Sequence, residues 1–310
     1  MPSRRLVHPL TGKANSLRRA AEIVFVVVGL FSSQTAELVA QPACGASAPC
    51  VVSGGTYLAR APARWDGRSP LPAVVFFHGW GQSAADVMRD EAMARVLSEL
   101  GVLLVAPDGV QHSWSFPGSP ESNRDEFGLI QAVLDDVESR FPIDRRRLWA
   151  SGFSQGASMV WYAACYLGDR FAAFASVAGD FWEPEPNVCP SGPVSILHIH
   201  GLADETFPLE GRVVRERYRQ GNLWRGWALW RHIDGCPISP DGVDASGNLT
   251  CETWRARSCS SRRELMLCFH TGGHVFDAEW IRAADQWVAS LAERGASRRT
   301  APSPRGRLAR

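Results

Sequence analysis

The most constraining feature of this chain is a short stretch around one serine. Leu148-Trp149-Ala150-Ser151 reads as an apolar strand, Gly152-Phe153-Ser154-Gln155-Gly156 follows without a break, and Ala157 to Tyr166 continues with helical apolar periodicity. G-x-S-x-G alone recurs by chance, but a strand on one side and a helix on the other give it a mechanical meaning. In a tight strand-to-helix turn the two glycines let the backbones approach, and the serine hydroxyl is left exposed at the apex. Larger side chains at 152 and 156 would collide. Ser154 is therefore the candidate nucleophile.

A turn of this kind needs a parallel sheet with helices packed on it, and the chain has the matching alternation. Short apolar runs at 73–77, 102–106, 148–151, 175–178, 195–199 and 265–269 read as strands buried on both faces. Between them, 84–100 carries Val87, Met88, Ala92, Val96, Leu97 and Leu100 on one helical face, and 127–141 repeats the pattern. Helices are also expected at 155–166, 211–220 and 277–293. The fold class is thus α/β, a mostly parallel sheet flanked by helices, in one domain spanning 41–295. The Ser-, Pro- and Arg-containing segment 296–310 is expected to be a basic, disordered tail.

The amino terminus differs from the rest. Arg18 and Arg19 precede the apolar run Ile23 to Phe31, and small residues follow to Ala40, a signal-peptide layout for residues 1–40. The run is shorter than the ~20 apolar residues a bilayer span needs, and Glu22 adjoins it, so no stable membrane anchor is expected. A buried strand is the alternative for this run. All eight cysteines (44, 50, 165, 189, 236, 251, 259, 268) lie beyond residue 40, as in a chain exported to an oxidising compartment. No C-x-x-C pair or Cys/His cluster at metal spacing occurs, which argues against zinc.

Net charge sharpens the picture. Residues 1–40 hold five basic and two acidic residues, and 296–310 hold five Arg, so of the 33 basic and 32 acidic residues the middle keeps 23 and 30. A central charge near −7 does not suit a nucleic-acid surface, which needs a clustered basic face.

A serine hydroxyl needs a base to take its proton, and in hydrolases built on such a turn the acid and base follow the nucleophile in the order Ser, Asp or Glu, His. Of the eight His, His8 lies in the leader, and His78 and His112 precede Ser154. His198 and His200 sit in a strand upstream of the best acid. His274 follows Gly272 and Gly273 after the last strand and just before the final helix, where a loop can bring its imidazole over the turn. For the acid, Asp204 in His200-Gly201-Leu202-Ala203-Asp204 projects from the carboxyl edge of strand 195–199. Asp180, after strand 175–178, is the rival. Oxyanion donors are expected from the backbone N–H of Gln155, at the head of the helix, and from Trp80 in Phe77-His78-Gly79-Trp80-Gly81-Gln82, with Gly81 as the alternative.

With H-G-W-G-Q, the serine turn, H-G-L-A-D and G-G-H in register, the chain resembles the polyhydroxybutyrate depolymerase and feruloyl esterase group of secreted α/β-hydrolases. The likeness runs from about Cys50 to about Trp287 and takes in Pro72 to Gln82, Asp135-Asp136-Val137, Ile143 to Leu148, Ala178-Gly179 and Asp234-Gly235-Cys236. It implies an α/β-hydrolase fold, triad roles for Ser154, Asp204 and His274, and no metal or organic cofactor. By position, Cys44 is expected to pair with Cys50 and Cys165 with Cys189; the family pattern implies Cys236 with Cys259, leaving Cys251 to face Cys268 across a hairpin.

The resemblance further implies an ester substrate, with hydroxyalkanoate esters or oligomers placed first and feruloyl or acetyl (xylan) esters as the alternative. Two departures stand near the pocket: Trp80 where many members have Cys, and Val275-Phe276-Asp277 after G-G-H where many continue Thr or Ser, Trp, Pro. Among the 12 Trp, Trp80 and Trp182 are the expected substrate-binding residues, ahead of Trp114, Trp224 and Trp227. The same triad serves peptidases and acyltransferases. The non-enzymatic alternative is a secreted binding protein on a retired hydrolase scaffold.

Overall fold

The computed structural model describes the backbone of residues 44–300 and the side chains of 44–296. The expected leader 1–40 and the end of the tail, 301–310, lie outside the described residues.

The chain opens with an antiparallel pair, β1 (Cys50–Val52) and β2 (Gly55–Arg60), and then enters the sheet centre at β3 (Leu71–Phe77). Every residue of β3 but one is buried, and its side chains alternate between two cores. Val75 and Phe77 face one, Val74 and Phe76 the other, as the two-residue period of a strand requires. Helices α1 (Ala84–Arg89) and α2 (Glu91–Leu100) lead to β4 (Leu103–Pro107), and α3 (Glu126–Arg140) leads to β5 (Ile143–Phe153). The strand-to-helix turn at Ser154 joins β5 to α4 (Gln155–Tyr166), after which come β6 (Ala173–Val177) and β7 (Ile196–Gly201).

A small hairpin, β8 (Val213–Val214) and β9 (Tyr218–Arg219), precedes α5 (Leu223–Asp234). The chain then runs through β10 (Gly242–Ser246), β11 (Leu249–Trp254) and β12 (Leu265–His270) into α6 (Ala278–Thr300). The ten-stranded sheet has the order β1-β2-β4-β3-β5-β6-β7-β12-β11-β10. Its six central strands are parallel, and both margins are antiparallel. Helices α3, α4 and α5 cover one face, while α1, α2 and α6 cover the other. Among the described residues no helix is long and apolar enough to cross a membrane.

Four disulfides join Cys44 to Cys50, Cys165 to Cys189, Cys236 to Cys259 and Cys251 to Cys268. The last links directly opposed residues of β11 and β12. Three expectations need correction. The single helix over 84–100 is two, because Asp90 caps the second: its side chain accepts from the Met93 N–H at 2.9 Å, and Asp is better placed at a cap than inside a helix. The helix over 211–220 is the β8–β9 hairpin. Its β-branched Val213-Val214 pair favours extended backbone, and Arg215 and Glu216 take left-handed conformations (φ 48° and 64°) to close the turn. The final helix does not stop at Glu293 but continues to Thr300, through a stretch that contains the good helix formers Ala296, Arg298 and Arg299.

Candidate active site

The carboxyl ends of β3, β5, β7 and β12 converge on one edge of the sheet, and each delivers part of the site. The turn after β5 holds Ser154 at φ 58°, ψ −123°, a strained conformation for a residue with a side chain. The two glycines are sterically required. A Cβ on Gly156 would lie 2.0 Å from the Phe77 carbonyl oxygen, and one on Gly152 would lie 2.5 Å from that of Gly156. The Ser154 N–H donates to the Val177 carbonyl at 2.9 Å, which fixes the turn against β6.

His274, on the loop between β12 and α6, stands with Nε2 2.9 Å from the Ser154 Oγ and Nδ1 2.7 Å from Asp204 Oδ2. Phe153 packs against its ring at 4.7 Å between centroids. Asp204 follows β7 and is buried. Its Oδ1 accepts from the N–H groups of Thr206 (2.9 Å) and Phe207 (2.8 Å), leaving Oδ2 for the imidazole. Burial pushes this carboxyl up, but hydrogen bonding by His200, His274 and the Phe207 N–H outweighs it and holds the group well below the usual carboxylate range. His200 is the weaker of the imidazole partners: its Nε2 is 3.5 Å from Oδ2 and donates to the Phe207 carbonyl at 2.8 Å. An ionised Asp204 can only accept, so His274 carries its proton on Nδ1 and its Nε2 is free to accept from the serine hydroxyl.

Asp180, the rival acid, is differently placed. It is fully enclosed, neither carboxyl oxygen meets a hydrogen-bond partner, and burial drives it well above the ordinary carboxylate range. No hydrogen bond or ion pair joins it to His274.

On the opposite side of Ser154, the loop after β3 is held by His78, whose Nε2 accepts from the Gly109 N–H at 3.0 Å while Nδ1 donates to the Gly79 carbonyl at 2.9 Å. The Gly81 N–H, the alternative oxyanion donor, is already donated to the His112 carbonyl at 2.9 Å. Among the described residues the Trp80 N–H meets no acceptor, and the Gln155 N–H is the first of α4, where no helical carbonyl precedes it.

Ser154, His274, Trp80 and Gln155 line a cleft of about 450 Å³. Its apolar wall comprises Trp80, Pro120, Phe153, Trp182, Phe207 and Val214, and its polar lining includes Gln82, Glu121, Thr206, Arg212, Arg215 and Gln220. Trp80 is 63% exposed at the mouth, whereas Trp182 is buried and donates to the Ser158 Oγ at 3.2 Å. Trp114 and Trp227 are core residues, and Trp224 lies on the surface of α5 against Phe269. The contribution of the β8–β9 hairpin and of Phe207 was not visible in the sequence; the Val213-Val214 pair after Pro208 was the available signal. Among the described residues no cluster of His, Cys, Asp or Glu could hold a metal ion.

Comparison with known proteins agrees with the architecture. Residues 72–206 match the family model described as alpha/beta hydrolase fold. NocK, a candidate esterase of Nocardia uniformis subsp. tsuyamanensis, is 34% identical over 155 residues, 49% of this chain; the chain spans 44% of that relative's length. Feruloyl esterase C of Emericella nidulans is 24% identical over 72% of this chain and 77% of its own length. Acetyl xylan esterase from Aspergillus awamori superposes with a TM-score of 0.57 over 76% of this chain and 93% of that one, at 15% identity.

Proposed function

We propose that this chain, a carboxylic ester hydrolase of the α/β-hydrolase fold, cleaves its substrates through an acyl-enzyme on Ser154, with His274 as general base and acid and Asp204 as the group that orients it. The observation that carries this reading is the continuous hydrogen-bonded line from Asp204 through His274 to the Ser154 Oγ, at 2.7 and 2.9 Å. As Oγ bonds to the ester carbonyl carbon, its proton passes to His274 Nε2, and Asp204 stabilises the imidazolium that forms. The N–H groups of Trp80 and Gln155 are the donors for the oxyanion, each typically worth about 3 kcal/mol in such sites. The imidazolium then protonates the departing alkoxide. Water, deprotonated by the same Nε2, attacks the acyl-enzyme and releases the acid and free Ser154.

For the substrate we place esters of phenolic acids, of the feruloyl type, first. The aromatic wall formed by Trp80, Phe153, Trp182 and Phe207 supports it, as do the relatives named feruloyl esterases. Hydroxyalkanoate esters and oligomers are the second reading, favoured by the arginines in the same cleft. Export to an oxidising compartment is part of the proposal; the four disulfides and the leader-like residues 1–40 support it. The test is a panel of p-nitrophenyl acetate, butyrate and octanoate, methyl ferulate and hydroxybutyrate oligomers. Methyl ferulate turned over with the highest kcat/KM among the non-activated esters is the expected result. Exclusive action on the oligomers would install the second reading, and no turnover of any ester would overturn both.

A further inference from the structure

Two guanidinium groups line the catalytic cleft, and they are not equivalent. Arg215 is ion-paired with Glu121 at 2.7 Å, so these two charges, both lining the cleft, cancel. Arg212 has no carboxylate partner among the described residues, yet it is held in place. Its Nε donates to the Thr206 carbonyl at 2.7 Å, and its own carbonyl accepts from the Gln220 N–H at 3.0 Å. Gln220 is itself 5% exposed and ties its side-chain amide to the same Thr206 carbonyl at 3.1 Å. Among the described residues, anchoring through Nε leaves the two Nη groups of Arg212 without a protein acceptor, and they form the fork that fits a carboxylate in two parallel hydrogen bonds. Arg212 is exposed at the cleft, and Trp182, Phe207 and Val214 line the same cleft, so these apolar neighbours shield a charge pair there from water on one side only.

We propose that Arg212 is a specificity residue that recognises a free carboxylate on the ester substrate, remote from the scissile bond. The inference rests on the esterase reading of this cleft and narrows it: preferred substrates are esters with an acidic end, in either the acyl or the alcohol portion. Arg212 takes no part in bond making or breaking, so its effect falls on selection between esters.

Two matched pairs test this: p-nitrophenyl hydrogen adipate against p-nitrophenyl hexanoate places the charge on the acyl side, and 4-acetoxybenzoate against 4-acetoxybenzamide places it on the alcohol side. The reading is the acid-to-neutral ratio of kcat/KM, which is internal to each protein and independent of how much of a variant is folded. In at least one pair the wild-type ratio should exceed that of Arg212→Gln by about tenfold, the scale of one charge-assisted contact in a half-open site. Arg212→Lys should retain part of the difference, and raising the salt concentration should reduce it. Equal ratios in wild type and Arg212→Gln for both pairs, with the neutral esters turned over, would overturn the carboxylate site and leave the esterase standing. No turnover of any of the four esters by the wild-type protein would bring down both.

Discussion

Ser154 sits where a non-glycine residue is rarely found, and the surrounding backbone enforces that conformation through the Val177 carbonyl and the two flanking glycines. Ser154→Ala should therefore leave the unfolding midpoint nearly unchanged while lowering ester hydrolysis by at least ~10⁴-fold; substantial residual turnover would count against the site. The acid offers a sharper contrast. Asp204→Asn should preserve substrate binding and lower kcat by up to ~10⁴-fold, through the wrong imidazole tautomer, whereas Asp180→Asn should change kcat little. The opposite order, measured on one ester above the His pKa, would move the acid to the earlier strand. Ser154 and His274 could be nominated from sequence because their neighbours are mechanically distinctive: flanking glycines for one, a Gly-Gly loop before a helix for the other. The two aspartates could not be ranked with the same security, since each follows a strand. What separates them is burial without partners for Asp180 and a complete set of donors for Asp204, which depends on long-range packing.

At the scale of elements, the six parallel strands were legible because each contains a short apolar run buried on both faces, and α3 and α4 because their apolar periodicity is regular; the first half of β5, Ile143 to Arg147, was not, because it is Arg-rich and not buried. The β8–β9 hairpin was not, because its Arg- and Glu-rich sequence has good helix propensity and its extended form depends on packing Val214 and Tyr218 against the core. Helix α5 was hidden among tryptophans, of which Trp227 and Trp230 are buried and Trp224 is not. This helix ends in a group with a measurable consequence. Asp234 is enclosed, one of its oxygens has no partner, and burial pushes its carboxyl up to about 7. A carboxyl raised in the folded state above its unfolded value of ~3.9 stabilises the fold fully below that pH, and the contribution is lost as pH rises through about 7. Asp234→Asn should thus gain stability relative to wild type on going from pH 4 to pH 8, by at most about 4 kcal/mol. Denaturant unfolding at the two pH values measures it, and a difference independent of pH would show that Asp234 is ionised in the folded protein.

Residues 44–300 are built on a ten-stranded sheet whose parallel centre carries the candidate site and whose antiparallel margins hold disulfides. Cys251–Cys268 fastens the strand that leads into the His274 loop, and Cys165–Cys189 fastens the helix that begins at Ser154. Protein recovered from an oxidising compartment should accordingly contain no free thiol after denaturation; two or more reactive thiols per chain would contradict the four-disulfide structure. Eight cysteines allow 105 connectivities, so position alone suggested two of the pairs and family likeness was needed for the pairs around Cys236 and Cys251. All the elements that meet at the carboxyl edge serve one claim, that Ser154 is the residue that becomes acylated. The most direct measurement is to treat the folded protein with a fluorophosphonate, weigh the intact chain and map the modified peptide. One adduct per chain, on Ser154, and none on Ser154→Ala or on the unfolded protein, is the predicted result. A stoichiometric adduct on another serine, or no adduct on an active preparation, would contradict the account.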